Sequence, residues 1–132
     1  MASIFTKIVN GEIPCYKIAE TEDYLAFLDV FPLAKGHSLV ILKKEIDYLF
    51  DIEDDLYLGL QMFAKKVAKA IEKAVPCKRI GVAVIGLEVP HAHIHLIPLN
   101  SVSDINFSQP KLQLLKDELE EIAEKIRKEF FS

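Results

Sequence analysis

Residues 91–98 read HAHIHLIP, so three histidines alternate with small or aliphatic side chains. On a β-strand, alternate side chains share a face, which would align His91, His93 and His95 about 6–7 Å apart. The intervening apolar side chains would enter the core, whereas a helix would scatter the three imidazoles around its circumference. The alternation therefore predicts a β-strand over residues 91–99.

Shorter apolar patterns upstream predict the rest of a sheet. The segments at residues 16–21 and 24–29 flank a turn and are expected to pair as a hairpin. The segment at residues 37–42 is mostly apolar and is expected to be a central strand. The predicted elements are, in chain order, a helical turn at residues 3–9 and strands at residues 16–21, 24–29, 37–42 and 79–86.

Two longer segments carry apolar side chains every three or four residues, which is typical of amphipathic helices. The first helix is predicted from Asp51, as its N-cap, to Ala74. The second is predicted over about residues 108–130, and its spacing also suits packing against a partner helix. Its predicted apolar stripe consists of Leu112, Leu115, Leu119, Ile122 and Ile126.

The order of these elements, strands followed by a helix and then the same again, predicts the α+β class with an antiparallel sheet. The 132 residues contain no repeat and no linker-like stretch. This favours one domain over residues 1–132, with a core at 3–98 and an extra C-terminal helix.

The composition indicates which partners and which cellular compartment to expect. The net charge is −4 and no cluster of Lys and Arg is present, so no nucleic-acid surface is expected. No apolar run of about 18 residues and no signal peptide are visible, so a cytoplasmic protein without a membrane span is expected. Cys15 and Cys77 are interpreted as reduced thiols, with a disulfide left open.

A row of imidazoles can divide the tasks of phosphoryl transfer between its members. Imidazole serves as a neutral nucleophile and, a few ångströms along, as a proton donor near pH 7. Gly86, just upstream of the histidines, would let the backbone approach a phosphate closely.

The same histidines are compatible with a purely structural role or with a metal site. His-x-His on a strand is a common arrangement for zinc or copper. Three alternating histidines on one straight strand span about 13 Å from the first Cα to the last, too far for all three to ligate one ion. A metal would therefore use His91 and His93, with His37 or Glu88 as the third ligand.

The alternating histidines resemble the signature of the histidine triad (HIT) family of nucleotide-binding hydrolases and transferases. Residues 3–14 resemble the opening of that family, and residues 25–44 resemble its ribose-and-base segment. Together the three segments span roughly residues 3–98. The resemblance implies a five-stranded antiparallel sheet with helices, a ten-stranded homodimer, and catalysis without a metal or other cofactor.

The resemblance also implies a reaction, which is cleavage at the α-phosphate of a purine nucleotide. The substrate would be a nucleoside phosphoramidate or a dinucleoside polyphosphate, and the intermediate a nucleotidyl-histidine. The phosphoramidate is favoured because the amino-terminal half resembles that branch most. A nucleotide-binding module with little catalysis and a histidine-ligated metalloprotein remain the alternatives.

By the same resemblance, individual residues acquire expected roles. His93 would be the nucleophile, His95 would donate to the α-phosphate, and His91 would brace the site through hydrogen bonds. His37 would support this network, and Asp29 would bind the ribose hydroxyls with its two acceptors. The wall of the base pocket would be formed by Ile4, Phe5, Ile8, Phe27, Val30 and Leu39.

The segment before the triad departs from the family pattern. Many relatives carry Gly-Gln-Ser or Gly-Gln-Thr there, where this chain has Gly86-Leu87-Glu88. Glu88 would occupy the position of the hydroxyl that serves the leaving group, and would either exchange a proton there or face solvent. Residues 80–86 also lack the usual Asn, so one contact to the phosphate is missing or replaced. The C-terminal helix would cover the site or lengthen the dimer interface.

Overall fold

The chain folds around a five-stranded antiparallel sheet. The structure is a computed structural model that describes residues 2–132. The strands lie in the order β1-β2-β3-β5-β4, so β5 is internal and β4 lies at an edge. The elements are α1 (Ile4–Val9), β1 (Lys17–Glu20), β2 (Tyr24–Leu28), β3 (Ser38–Leu42), α2 (Asp54–Ala74), β4 (Arg79–Ala83), β5 (His93–Leu99) and α3 (Lys116–Phe130), with short 3₁₀ turns at Leu49–Asp51 and Val102–Ile105. This confirms the predicted α+β class and antiparallel sheet.

The two faces of the sheet are covered differently. Helices α2 and α3 pack on one face and enclose the main core, which includes Ala92, Ile94 and Leu96. Helix α1 covers the other face, where Phe5 packs against side chains of β2 and β3. Because side chains alternate along β5, the histidines of this strand lie on the α1 face.

Helix α1 is short and is fixed at both ends by its sequence. The Ser3 hydroxyl accepts the backbone N–H of Thr6 at 3.1 Å, which caps the amino-terminal end. The chain leaves the helix through Gly11, whose φ of 79° lies in the left-handed region that glycine adopts without strain.

Three predicted boundaries near the site were wrong. Strand β5 begins at His93 rather than residue 91, because the His91 N–H bonds the carbonyl of Val89 at 2.8 Å in a tight turn. Strand β4 ends at Ala83 rather than residue 86. Helix α2 begins at Asp54, so Asp51 lies in the preceding 3₁₀ turn and does not cap it.

The C-terminal helix is also shorter than predicted. It begins at Lys116 rather than near residue 108, so Leu112 and Leu115 lie outside it and are exposed. Its buried residues are Leu119, Ala123, Ile126 and Phe130. They pack against α2 of the same chain, where the rings of Phe63 and Phe130 meet at 5.9 Å.

Cys15 and Cys77 are both free and half-buried. Within residues 2–132, no helix combines the length and the apolar character that crossing a bilayer requires.

Candidate active site

Strand β5 holds His93 and His95 side by side beneath helix α1. Their ring centroids lie 5.0 Å apart, and the two residues are 7% and 8% exposed. His91 precedes the strand, is fully buried, and contacts the same Phe5 ring that lies 4.9 Å from His93. The three histidines therefore line one face of the sheet, although only two of them belong to the strand.

One hydrogen bond sets the tautomer of His93. Its Nδ1 lies 2.8 Å from the backbone carbonyl oxygen of His91. Because a carbonyl only accepts, Nδ1 carries the proton in this contact, and the lone pair of the neutral ring resides on Nε2.

A chain of hydrogen bonds sets the tautomers of His37 and His95. The backbone N–H of Leu33 donates to Nδ1 of His37 at 3.0 Å, so the neutral His37 ring carries its proton on Nε2. That nitrogen lies 3.0 Å from Nδ1 of His95, to which it donates. The proton of neutral His95 is therefore on Nε2, where it can be donated to a ligand.

Both of these rings are neutral at pH 7. Burial, reinforced by the charge of neighbouring groups, lowers the pKa of His37 to about 3. Burial likewise lowers the pKa of His95 to about 4. The chain from Leu33 to His95 therefore delivers an oriented N–H donor rather than a positive charge.

His91 connects the sheet to helix α1. Its Nε2 donates to the carbonyl of Leu42 at 2.7 Å, and its Nδ1 lies 2.9 Å from the Ser3 hydroxyl. The Glu45 carboxylate in turn accepts the backbone N–H of Ser3 and the hydroxyl of Thr6, both at 2.6 Å. These hydrogen bonds, of which that from Thr6 has the largest effect, lower the pKa of Glu45 to about 2. Burial, as the largest cause, lowers the pKa of His91 as well.

The larger of two cavities beside the histidines has a volume of about 380 Å³ and is mainly apolar. Phe5 and Phe27 meet edge to face within its wall, with centroids 5.7 Å apart. Six predicted wall residues are brought together here, namely Ile4, Phe5, Ile8, Phe27, Val30 and Leu39.

Asp29 lines this larger cavity as well. One carboxylate oxygen accepts the Phe31 N–H at 2.9 Å, and the other lies 3.5 Å from Nε2 of His37. Burial raises the pKa of Asp29, opposed by the Phe31 bond and by nearby His93 and Lys111.

The smaller cavity, of about 270 Å³, adjoins the larger one and is lined by His93 and His95 as well. It is lined by the loop after β4, where Gly86 has a φ of 70° that other residues rarely adopt. Glu88 is exposed and borders both cavities. The residues common to the two cavities are Glu88, Val89, His93, His95, Phe107 and Lys111.

Phe107 and Lys111 were not predicted as site residues. The Phe107 ring lies 4.8 Å from that of His95, and Lys111 borders both cavities. They belong to a segment that was predicted as an irregular stretch followed by a helix, and no spacing in the sequence indicates the contact. Ser3, Thr6 and Glu45 were missed as well, although Ser3 is recognisable as a helix cap.

One group of side chains is close enough together to share a metal ion, and it differs from the predicted ligand set. Among residues 2–132, the group whose ligand atoms lie within 4.8 Å of one another is Asp29, His37 and His95. The structure does not bring His91 and His93 together with His37 or Glu88, so the predicted ligand set was wrong.

Comparison with known proteins decides the family. The HIT domain family profile matches residues 10–102 of the chain. The chain belongs to the HIT family. This HIT protein is 36% identical over 129 residues to the adenosine 5'-monophosphoramidase of Schizosaccharomyces pombe, with 96% of each chain covered.

Solved HIT structures share the whole fold. The Hit-like protein of Bartonella henselae, described as involved in cell-cycle regulation, superimposes with a TM-score of 0.83 at 32% identity, covering 96% of this chain and 95% of that one. A zinc-bound histidine triad family protein of Mycobacterium smegmatis also gives 0.83, at 26% identity, covering 99% and 94%. The predicted HIT-like fold is therefore confirmed.

Proposed function

We propose that this protein hydrolyses purine nucleotides at the α-phosphate, with His93 as the nucleophile. The observation that carries the proposal is the bond from Nδ1 of His93 to the His91 carbonyl, which leaves the lone pair on Nε2 of a residue that lines both cavities. Nε2 forms a bond to phosphorus while the bond from phosphorus to the leaving group breaks. Water then cleaves the phosphorus–nitrogen bond and regenerates the neutral imidazole.

The other site residues fit supporting roles in this proposal. The apolar wall of the larger cavity accommodates a purine, and Asp29 accepts hydrogen bonds from the ribose hydroxyls. His95 donates from Nε2 to a phosphate oxygen, and His37 holds it in the tautomer that permits this. Glu88, on the border of both cavities, exchanges a proton with the leaving group.

The proposed substrate is a purine nucleoside phosphoramidate. The name of the S. pombe relative, an adenosine 5'-monophosphoramidase, supports this choice over a dinucleoside polyphosphate. A panel containing adenosine phosphoramidate and diadenosine polyphosphates tests it. Turnover of the phosphoramidate alone supports the proposal, whereas turnover of the polyphosphates alone moves it to the other linkage.

A nucleotide-binding module with little catalysis is the second candidate. It is favoured by Glu88 standing where relatives carry a hydroxyl, and by the absence of an Asn within residues 80–86. AMP binding without turnover on either linkage would establish this candidate, and turnover would exclude it.

A metal role is less compatible with the geometry, although one HIT relative is zinc-bound. Within Asp29, His37 and His95, the nitrogens of the two histidines already bond each other at 3.0 Å. Nδ1 of His37 accepts the N–H of Leu33, so a shared ion would have to break an internal bond. Elemental analysis of untagged protein purified without chelator tests this, and about one metal per chain would contradict the proposal.

The hydroxyl of Thr6 is expected to hold the base pocket in shape. Thr6→Val keeps the side-chain shape but removes the donor to Glu45, which would loosen α1 and the Phe5 that it carries. We expect KM to rise roughly 3- to 10-fold with little change in kcat, as for loss of one charge-assisted hydrogen bond. Thr6→Ser retains the hydroxyl and is the matched control. Equal KM values for the two variants would contradict this role.

A homodimer joined through the edge of the sheet is part of the proposal. Strand β4 lies at that edge, and its Val82 is 61% exposed. Pairing of β4 with its counterpart would cover the unpaired backbone of both chains and give ten strands. We expect Val82→Arg to convert a dimer to a monomer in light scattering, and a wild-type monomer would contradict the proposal.

A further inference from the structure

The two cavities beside the triad have an unusual charge balance for a site that receives a phosphate. Among the described residues that line them, Lys111 is the one Lys or Arg, whereas Asp29 and Glu88 are acidic. His37 and His95 are neutral at pH 7. A phosphate bound there would thus meet a single permanent cation, and anions are bound most strongly by ionised donors.

The Lys111 ammonium is held by its own segment. It donates to the carbonyl of Phe107 at 2.6 Å and to that of Gln109 at 3.3 Å, and lies 5.8 Å from the Phe107 ring centroid. An ammonium has three hydrogens, so one remains for a ligand. A lysine fixed in this way loses less side-chain freedom on binding an anion than a free surface lysine does.

The segment itself is attached to the site at two points. Phe107 packs edge to face on His95, and the backbone N–H of Leu112 donates to the carbonyl of Pro32 at 2.8 Å. Pro32 lies in the loop that follows Asp29, so residues 107–112 connect His95 with the loop beside Asp29.

We infer that Lys111 is the phosphate-binding cation of this site, pairing with an anionic oxygen of the α-phosphate at the boundary of the two cavities. The inference rests on the proposed function, and it deepens that function by assigning the charge on which nucleotide binding depends. It also supplies a phosphate contact in a site that lacks the expected Asn before the triad. Its charge reaches the site, since Lys111 adds to burial and the neighbouring histidine in lowering the pKa of His95.

The test compares AMP with adenosine, because these ligands differ only in the phosphate. Lys111→Met removes the charge and keeps an unbranched side chain, and binding is measured by calorimetry on the full chain. We expect the affinity for AMP to fall roughly 10- to 100-fold and that for adenosine to stay unchanged. Lys111→Arg retains the charge and should recover most of the AMP affinity.

Lys65→Met is the matched control, since Lys65 is exposed on α2, on the opposite side of the sheet, and its loss changes the net charge equally. Three outcomes would overturn the role of Lys111 without touching the proposed function. They are an equal loss of AMP affinity in both Met variants, an equal loss for AMP and adenosine in Lys111→Met, and no loss at all. Wild-type protein that binds neither ligand would overturn the proposed function itself.

Discussion

His93→Ala and His93→Asn are both expected to lose turnover of adenosine phosphoramidate by roughly 10⁴-fold or more. In the proposed reaction Nε2 of His93 forms the covalent bond to phosphorus, so either substitution removes the two-step path. A 10⁴-fold loss corresponds to about 5.5 kcal/mol of activation free energy, which exceeds the usual effect of a repositioned side chain.

The two variants separate the nucleophile from its surroundings. The Asn amide can still donate to the His91 carbonyl, which His93 bonds at 2.8 Å, whereas Ala removes this bond as well. His93→Asn should therefore bind AMP within a few-fold of wild type while remaining inactive. Retained turnover in His93→Asn would exclude His93 as the nucleophile.

The covalent intermediate offers a second readout in the wild-type protein. Quenching in alkali preserves the phosphorus–nitrogen bond. Fragmentation of the peptide that spans His91 to His95 in the mass spectrometer should then locate one AMP on His93. An adduct on His91 or His95 instead would contradict the assigned role even if both His93 variants were inactive.

Features set by local sequence were predicted correctly from it. The alternation around Ile94 and Leu96 identified a strand with apolar side chains in the core and histidines on the other face. A strand places alternate side chains on opposite faces, whereas a helix would not separate them in this way. The apolar spacing of α2 likewise predicted its end at Ala74. The residues that the family resemblance implied for the wall of a base pocket line the larger cavity.

Features that depend on distant parts of the chain were not predictable in this way. Glu45 bonds Ser3, which is 42 positions away in the chain, and Lys111 lines the cavities from a non-helical segment. Neither contact is indicated by a periodic pattern or by a motif in the sequence. The helix predicted from residue 108 fails for a related reason. The N–H of Leu112 donates to the carbonyl of Pro32, in the loop after β2, instead of to a carbonyl one helical turn earlier.

The second large effect is a loss of stability at mildly acidic pH. In the folded protein the pKa of His37 is lowered to about 3 and that of His95 to about 4, mainly by burial, against 6.5 for an ordinary histidine. Between pH 6.5 and 4 the unfolded chain therefore binds protons that the folded chain does not. Acidification favours unfolding over this range, and the loss for each histidine ends below its folded pKa.

The size of this effect follows from the difference in pKa. For His95 the shift corresponds to a loss of the order of 3 kcal/mol between pH 7 and pH 4, and His37 adds to it, though less than additively because the two rings bond each other. The groups that face these rings are Asp29, His93 and Lys111. Burial raises the pKa of Asp29, so protonation of this carboxyl acts in the opposite direction and partly offsets the loss.

Urea unfolding between pH 7.5 and 4 measures the slope of the unfolding free energy against pH, which reports the difference in bound protons regardless of absolute stability. The His95→Asn variant should show a slope lower than wild type by up to about one proton, or about 1.4 kcal/mol per pH unit. Asn keeps a polar group facing His37, so the comparison isolates titration from packing. Identical slopes in the two proteins would mean that His95 titrates alike in the folded and unfolded states, and the neutral donor required for the phosphate contact would then be excluded.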